Sequence, residues 1–299
     1  MTVISYPNIQ ELADVQRWDA EAFTPYLRSL DERLRNDSTL TSLATITHPA
    51  EIPRVYSDSN DAVPFMRAQN IRPVLPDMEG VVHISSAVAD GLQTNRLKNG
   101  DVLVTRSGAF SGVAAVFLGA SGSCYTSGEG IIVRSRGCID GAYLAVFFNT
   151  AVGYALCRRA VYGSGQPHVG PKYLERIRVP RFPHLEEKVA GLVRDAHDDM
   201  QQTISAYPEA ETELLNRLGW ASLTKRRREL AYSAAFSELA SSGRNDAEFF
   251  QPYVRRIHAV LASQKRTIAD EVALREEPFT PCRGQRFNYV EIGDIAPDT

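Results

Sequence analysis

Hydrophobic and polar positions recur with distinct periods along the chain, and these periods predict both strands and helices. A helical spacing of apolar residues predicts a helix over 141–160, and a serine before an apolar run predicts a short helix at 85–89. Alternation and short apolar runs predict strands at 37–47, 63–71, 102–106, 113–118 and 125–134. Helices and strands mixed in this order indicate an α+β fold.

The longest helical pattern begins after Pro183. It gives a rod of roughly 35 Å, and we expect Pro208 to interrupt it before a second helical piece ends at Gly219. A narrow apolar face needs a partner, which is the other helical piece, a second spacer or another subunit. The apolar positions recur at nearly heptad spacing, and those assigned to partner binding are Leu185, Val189, Leu192, Val193, Met200 and Ile204.

A segment near the N terminus recurs near the C terminus at a constant offset of 227 residues. Residues 11–30 and 238–257 match at eleven of twenty positions without a gap, and 64–71 has a looser counterpart at 288–295. So dense a match indicates a tandem duplication, with a period far too long for a solenoid. We expect one complete unit followed by the beginning of a truncated second copy.

An irregular polar loop at 163–170 precedes a short basic segment. Its glycines exclude regular helix and strand. Pro171 is expected to begin a short helical turn, and 176–180 alternates as a half-buried strand does. The polar side chains of the loop and turn are Ser164, Gln166, His168, Lys172 and Tyr173.

This order of loop, turn, basic strand and long helix resembles the end of a target-recognition domain in the DNA-specificity subunits of type I restriction-modification systems. The family pattern G-S-x-Q-x-x-(V/L)-x-x-x-x-L is matched by Gly163, Ser164, Gln166, Val169 and Leu174. A second family element, L-x-x-G-D-(I/V)-L-(V/I)-x-x-x-G, is matched by Leu97, Gly100, Asp101, Val102, Leu103, Val104 and Gly108. Tandem recognition domains with helical spacers are also typical of these subunits. The resemblance covers 10–240 well and 240–299 in part.

The resemblance implies an α/β target-recognition domain at 1–182, a coiled-coil-like helical spacer at 183–230 and the beginning of a second recognition domain at 231–299. It implies a non-catalytic subunit that binds double-stranded DNA and directs adenine methyltransferase and restriction/translocase subunits to a target. AdoMet and ATP would then be bound by those partners, and no cofactor is expected on this chain. Because the spacer helices lack a partner within the chain, we also expect a homodimer as one arrangement.

Three groups of residues are candidates for DNA contact. In the loop, Gln166 has the amide that reads adenine, and Ser164 and Lys172 are suited to phosphates. Arg106 and Ser107 open a glycine-rich loop whose backbone can approach phosphate closely. The third group, at the end of a predicted strand, is Arg67, Gln69 and Arg72. Each group also has an ordinary structural explanation, as a surface loop, a hairpin turn or solvated strand residues.

The charge distribution modifies this picture. A formal net charge of −3 argues mildly against nucleic-acid binding. Residues 54–180, however, carry thirteen Lys and Arg against nine Asp and Glu. Arginine dominates there, which suits two-pronged contacts with guanine or phosphate.

Several classes of protein are excluded by missing patterns. No apolar run of ~18 residues predicts a membrane span, and the N terminus does not resemble a signal peptide. Four scattered cysteines without C-x-x-C spacing favour reduced thiols, so we expect a cytoplasmic protein without a metal site. The sequence has no phosphate-binding P-loop, no nucleophile elbow, and neither the glycine loop nor the (N/D)-P-P-(Y/F) tetrapeptide of adenine methyltransferases.

Two alternatives remain open. The chain could be the recognition domain of another defence methylase system, or a scaffold that binds a methyltransferase without reading DNA.

Overall fold

The computed structural model describes residues 6–15, 18–52, 55–108, 110–162, 168–217 and 231–262. It contains helices and mostly antiparallel sheets, so the predicted α+β class is confirmed. The chain divides into two compact units, Met1–Tyr207 and Pro208–Thr299. The finer division at 1–182, 183–230 and 231–299 stays a prediction.

The described elements are short, with one exception. The α-helices are α1 (Ile9–Val15), α2 (Pro25–Arg33), α3 (Leu40–Leu43), α4 (Ser86–Asp90), α5 (Gly141–Asn149), α6 (Ala151–Arg159), α7 (Pro171–Leu174), α8 (Pro183–Arg217), α9 (Phe236–Ser242) and α10 (Pro252–Ala262). The strands are β1 (Ser38–Thr39), β2 (Ala44–Thr47), β3 (Val63–Met66), β4 (Val82–Ile84), β5 (Asp101–Thr105), β6 (Ala114–Phe117), β7 (Tyr125–Thr126), β8 (Gly130–Ser135), β9 (Val161–Tyr162), β10 (His168–Val169) and β11 (Arg178–Val179). Single 3₁₀ turns lie at Ala20–Phe23, Ala68–Asn70, Gln93–Asn95 and Ala247–Phe250.

The first unit is built around a four-stranded antiparallel sheet in the order β2-β8-β5-β6. Strand β5 is buried along its whole length because both faces of the sheet are covered. Val102 and Val104 point into the main core with α5 and α6, whereas Leu103 points into a second cluster with Met66 and Leu97. Continuous burial explains why this strand reads as an apolar run rather than as an alternation.

A second sheet, in the order β4-β3-β7, contains the strand that begins at Val63. Its parallel pairing sets Phe65 opposite Tyr125 and Met66 opposite Thr126. Residues after β3 and the loop between β7 and β8 are thereby neighbours.

The first turns of α8 belong to the core of the first unit. Ala190 and Val193 are buried in the main cluster, and Val189 packs against it. Glu186 is also buried, and its carboxylate accepts hydrogen bonds from the Arg181 guanidinium. Helix α8 therefore leaves the unit from a fixed base.

Several sequence-based elements differ from the structure. The strand predicted at 37–47 is divided by α3, because the Leu40 backbone N–H donates to the Ile177 carbonyl (2.7 Å) and the turn buries the Leu40 side chain. The helix predicted at 141–160 is two helices, because the Thr150 hydroxyl caps α6 through the Gly153 N–H (3.0 Å). The prediction at 125–134 is two strands, β7 and β8.

Pro208 does not end the long helix, which continues through it to Arg217. A proline within a helix removes one backbone hydrogen bond. The helical segments before and after Pro208 are long enough for α8 to remain one helix despite this loss. The short helix at 85–89, the strand at 102–106 and the turn at Pro171 are confirmed within a residue or two.

The internal repeat adopts the same local structure in both copies. In the first, α1, a 3₁₀ turn and α2 follow one another, and the Arg28–Glu11 ion pair measures 2.8 Å. In the second, α9, a 3₁₀ turn and α10 follow in the same order, and the Arg255–Glu238 pair measures 2.9 Å. This agreement supports the duplication. The predicted counterpart at 288–295 lies outside the described residues.

Candidate nucleic-acid interface

Backbone hydrogen bonds bring together the three segments that carry the candidate groups. The Ser127 N–H donates to the Met66 carbonyl (2.9 Å), which places the 67–72 segment beside the loop between β7 and β8. The Arg106 N–H donates to the Glu129 carbonyl of that loop (2.8 Å). The Arg106 carbonyl in turn accepts from the Val169 N–H (2.7 Å), and Ser107 pairs with His168 as an isolated antiparallel bridge. The loop at 126–130 is thus the centre of a continuous surface.

Arg106 ends a buried strand and carries an ion pair. Its Nη1 lies 3.2 Å from Oε1 of Glu51, with side chains 21% and 65% exposed. The backbone of Arg106 is held on both sides by the hydrogen bonds described above, so the side chain starts from a fixed point. The guanidinium is therefore directed by the fold and reaches the surface next to a carboxylate.

Ser107 is largely buried and its hydroxyl donates to a Glu129 carboxylate oxygen. The loop that follows contains Gly108 and Gly112, both in the left-handed region at φ 86° and 92°, a conformation that L side chains rarely adopt. The Ser111 hydroxyl accepts from Arg158 Nη1 (2.7 Å). The glycine-rich loop is consequently tied to α6 as well as to the 126–130 loop.

Arg67 and Arg72 both lie over aromatic rings. The Arg67 guanidinium carbon is 5.6 Å from the ring centre of Tyr56, and that of Arg72 is 5.3 Å from the ring centre of Phe110. Both rings are exposed, Phe110 by 54%. Such cation–π contacts hold an arginine in place. In Arg67 the Nε–H is buried without a hydrogen-bond partner among the described residues, so only its outer guanidinium N–H groups are candidates for a ligand.

Gln69 does not share a strand face with Arg67. It lies in the 3₁₀ turn Ala68–Asn70, because the buried Asn70 side chain ends the strand. The Asn70 amide oxygen accepts from the Arg67 N–H (3.0 Å), and its nitrogen donates to the Asp77 carbonyl (3.0 Å). The alternation expected over 63–71 is therefore wrong after Met66, although Gln69 remains exposed on this segment.

The remaining loop residues fall into two sets. His168 lies on β10 beside Ser107, and Lys172 is exposed on α7. Tyr173 faces elsewhere, since it lines a cavity of about 590 Å³ with residues of α2 and α6, and no member of the 67–72 or 106–107 groups lines that cavity. Ser164 and Gln166 lie outside the described residues.

Sequence reasoning missed four residues of this surface: Glu51, Glu129, Tyr56 and Phe110. The carboxylates lie far along the chain from the groups they contact. A signal was present in Gly128-Glu129-Gly130, since glycines on both sides of a charged residue indicate a tight loop that presents it. The aromatics carried no such signal.

The partner-binding residues predicted on α8 divide between core and surface. Val193 is buried and Val189 packs against the core of the first unit. Leu185, Leu192, Met200 and Ile204 are exposed by 41–61%. Leu185 and Leu192 lie within the base of the helix and Met200 and Ile204 beyond it, so the exposed set forms an apolar stripe along α8.

Among the described residues, no group of three or more His, Cys, Asp or Glu side chains is arranged to hold a metal ion. Within the same residues, every helix is too short or too polar to cross a membrane. Burial raises the pKa of the Cys124 thiol to about 12, so that thiol stays protonated and unreactive at neutral pH.

No protein-family model matches the chain, and no curated protein sequence matches it. Solved structures that resemble it include a type I restriction-modification system described for its complex assembly and conformational transition, with a TM-score of 0.40 and 17% identity over 61% of this chain and 43% of that chain. Another is the HsdS subunit from Thermoanaerobacter tengcongensis, with a TM-score of 0.39 and 18% identity over 63% and 43%. A third is the type I restriction-modification S subunit from M. genitalium, with a TM-score of 0.42 and 10% identity over 64% and 46%.

The chain thus spans less than half the length of each of these three chains.

Proposed function

We propose that this chain is a DNA-specificity subunit of a type I restriction-modification system, which binds double-stranded DNA and directs adenine methyltransferase and restriction subunits to a target sequence. The observation that supports the proposal is that backbone hydrogen bonds join the segments of Arg67, Arg106 and His168 through the 126–130 loop and Arg106, while Arg72 lies over the Phe110 ring in the loop after Arg106. These residues come from three separate segments of the chain. A fold that gathers them on one surface gives the donors needed to hold phosphates and read base edges.

The chemistry of this surface favours duplex DNA over a small ligand. Two arginines stand over exposed aromatic rings and a third is fixed at a strand end. Arginine in fixed geometry pairs with guanine or with phosphate through two parallel hydrogen bonds. The sequence carries no methyltransferase motif. The proposed role is therefore recognition, with chemistry supplied by partners that bind AdoMet and ATP.

The exposed stripe of α8 supports association with a partner. Leu185, Leu192, Met200 and Ile204 project from a helix whose base is fixed in the core of the first unit. Apolar residues at heptad spacing are typical of helices that pack lengthwise against another helix. We propose that the methyltransferase subunit or the spacer of a second copy packs here. Light scattering of the isolated chain at micromolar concentration separates the two, since only the second gives a dimer.

The test of the function is to combine the chain with the methyltransferase subunit of its own operon and AdoMet, and then to map N6-methyladenine in DNA. We expect methylation at one defined motif, lost when either protein is omitted. A palindromic motif would support a dimer of this chain. Failure of the two proteins to associate would count against the family assignment itself.

A scaffold that binds the methyltransferase without reading DNA is the second candidate. It is favoured by the carboxylates of Glu51 and Glu129, which occupy donors of Arg106 and Ser107 within the chain itself. The two candidates differ in DNA affinity. A reader binds DNA with an affinity that falls steeply with salt, whereas a scaffold co-purifies with the methyltransferase and shows no such binding. A recognition domain of another defence methylase system would differ from both by a catalytic domain in the same polypeptide.

A further inference from the structure

A carboxylate stands in the middle of the proposed DNA-binding surface. Glu51 Oε1 lies 3.2 Å from Arg106 Nη1, and the Glu51 side chain is 65% exposed. In the described structure this is the single hydrogen bond between the two groups. The second carboxylate oxygen and the remaining guanidinium N–H groups therefore stay available to a ligand.

The fold holds Glu51 in this place. The fully buried Asn95 side chain accepts from the Ala50 N–H (3.2 Å) and donates to the Ala50 carbonyl (2.9 Å) and to the Thr126 carbonyl (2.8 Å). The residue before Glu51 is thereby attached to the 126–130 loop. Both the N–H and the carbonyl of Ala50 are thus held by one side chain, 45 residues away along the chain.

The loop also makes room for this carboxylate. Gly128 lies under Glu51, and a Cβ at that position would come within 2.6 Å of the Glu51 carboxyl carbon. The Gly128 carbonyl contacts His48 Nε2 at 3.2 Å, a second attachment of the same segment. The position of the Glu51 carboxylate is therefore set by the loop as well as by the buried amide.

A carboxylate is poorly suited to a surface that contacts only phosphates, because it repels them. It is suited to base edges, where it accepts from the amino group at N4 of cytosine. Arginine is its complement, since it donates to O6 and N7 of guanine. In the major groove one G·C pair presents both acceptors on guanine and the donor on cytosine, side by side.

We propose that Arg106 and Glu51 together read one G·C base pair of the target, with Arg106 donating to guanine and Glu51 accepting from cytosine N4. This inference rests on the proposed function and adds a specificity-determining pair to it. The free guanidinium N–H groups of Arg106 supply several donors, and the free carboxylate oxygen of Glu51 supplies one acceptor next to them. The major-groove edge of a G·C pair presents the matching acceptors and donor, also side by side. Arg67 and Arg72, which have no carboxylate partner in the described structure, would hold phosphates or other bases.

The test is selection of bound duplexes from a randomised pool by the full chain with its methyltransferase subunit, followed by sequencing. The variants are Glu51→Gln and Arg106→Gln, with Glu187→Gln as a control at an exposed position of α8. We expect the unaltered protein to select a motif with a fixed G·C pair. Glu51→Gln and Arg106→Gln should both relax that one position, lowering discrimination there by about tenfold or more. The remaining positions should be unchanged.

Two results would overturn the inference while leaving the function standing. In the first, the Glu51→Gln variant selects the same full motif, and its affinity rises by the same factor for every sequence. Glu51 would then only neutralise the charge of Arg106. In the second, the selected motif contains no G·C pair that responds to either variant. Selection of no motif by the unaltered protein would reject the proposed function together with the inference. Thermal unfolding of each variant checks that it folds. The Glu51→Asp variant repeats the selection with a carboxylate of the same charge on a shorter side chain.

Discussion

Glu186 accepts two hydrogen bonds from the Arg181 guanidinium, Nε to Oε1 at 2.8 Å and Nη2 to Oε2 at 3.0 Å, and a third from the Phe182 N–H at 2.9 Å. The carboxylate is buried at the first turn of α8. The hydrogen bonds from Arg181 hold the pKa of Glu186 below its ordinary value of 4.5. This pair fixes the point at which the long helix leaves the first unit.

We predict that Glu186→Gln lowers the free energy of unfolding by about 1–3 kcal/mol at pH 7, because a buried charge-assisted pair is lost and Arg181 is left without its carboxylate. Since the folded pKa is lowered, the stabilisation is complete above the ordinary value and is lost as the pH falls through the folded value. The difference between the two proteins should therefore shrink below about pH 4.5. Denaturant unfolding across this range measures it, and Glu187→Gln, an exposed neighbour, should leave the stability unchanged. An equal difference at all pH values would assign the effect to packing instead.

Two glycines in helices offer a matched pair of alanine substitutions. At Gly153 in α6 a Cβ would lie 1.9 Å from the Phe147 carbonyl oxygen, so the backbone of α5 has to move. At Gly191 in α8 a Cβ meets nothing within 4 Å. We predict that Gly153→Ala destabilises the protein by at least about 2 kcal/mol, whereas Gly191→Ala stabilises it by about 0.5–1 kcal/mol. Thermal unfolding of both variants checks the signs. Tolerance of alanine at residue 153 would show that the α5–α6 corner is differently packed.

The central sheet was predictable because its strands are buried on both faces. The apolar run at 102–106 is long enough for a strand and too short for a helix, and it became β5. Helix ends set by a single side chain were harder to predict. Thr150 divides α5 from α6 by capping Gly153, and the surrounding sequence keeps its helical period across the break. The helical period of a sequence does not show where a side-chain hydroxyl, rather than a backbone carbonyl, accepts from a backbone N–H.

The candidate surface was predictable only for its basic residues. Arg67, Arg72 and Arg106 could be selected because each lies near the end of a predicted strand. Glu51 could not, since its contact with Arg106 joins residues 55 positions apart, next to a backbone held by the buried Asn95. Tertiary hydrogen bonds of this kind leave no periodic trace in a sequence. The charge of a surface can thus be estimated before its structure is known, whereas its arrangement of donors and acceptors cannot.

Asn95 connects stability to the proposed reading of DNA. Its side chain makes hydrogen bonds to both polar groups of the Ala50 backbone and to the Thr126 carbonyl, and it is completely buried. We predict that Asn95→Ala lowers the free energy of unfolding by about 1–3 kcal/mol, because these backbone groups lose their partner. An alanine at the exposed Asn36 should change it by less than about 0.5 kcal/mol. Denaturant unfolding of the two variants gives the comparison.

The same Asn95→Ala variant should also weaken discrimination at the base pair assigned to Glu51 and Arg106, since Glu51 is no longer held against the 126–130 loop. Binding to duplexes that differ only at that pair measures this effect. Equal discrimination by the variant and the unaltered protein would show that Glu51 does not depend on Asn95 for its position.

Lys172 provides the contrast between holding DNA and reading it. It is exposed on α7, directly after the strand that pairs with Ser107, and it makes no ion pair in the described part of the chain. A lysine that contacts a phosphate contributes to affinity for every sequence and to its salt dependence. We predict that Lys172→Ala weakens binding equally for all duplexes and lowers the slope of log affinity against log salt by about one, whereas Lys188→Ala on α8 changes neither.

Titrations of a target and a non-target duplex at several salt concentrations separate the two roles. If Lys172→Ala instead changes the preferred sequence and leaves the salt slope as it was, Lys172 reads a base, and the division between phosphate-holding and base-reading residues has to be redrawn. If it changes neither quantity, DNA does not extend to α7, and the interface is confined to the residues around the 126–130 loop.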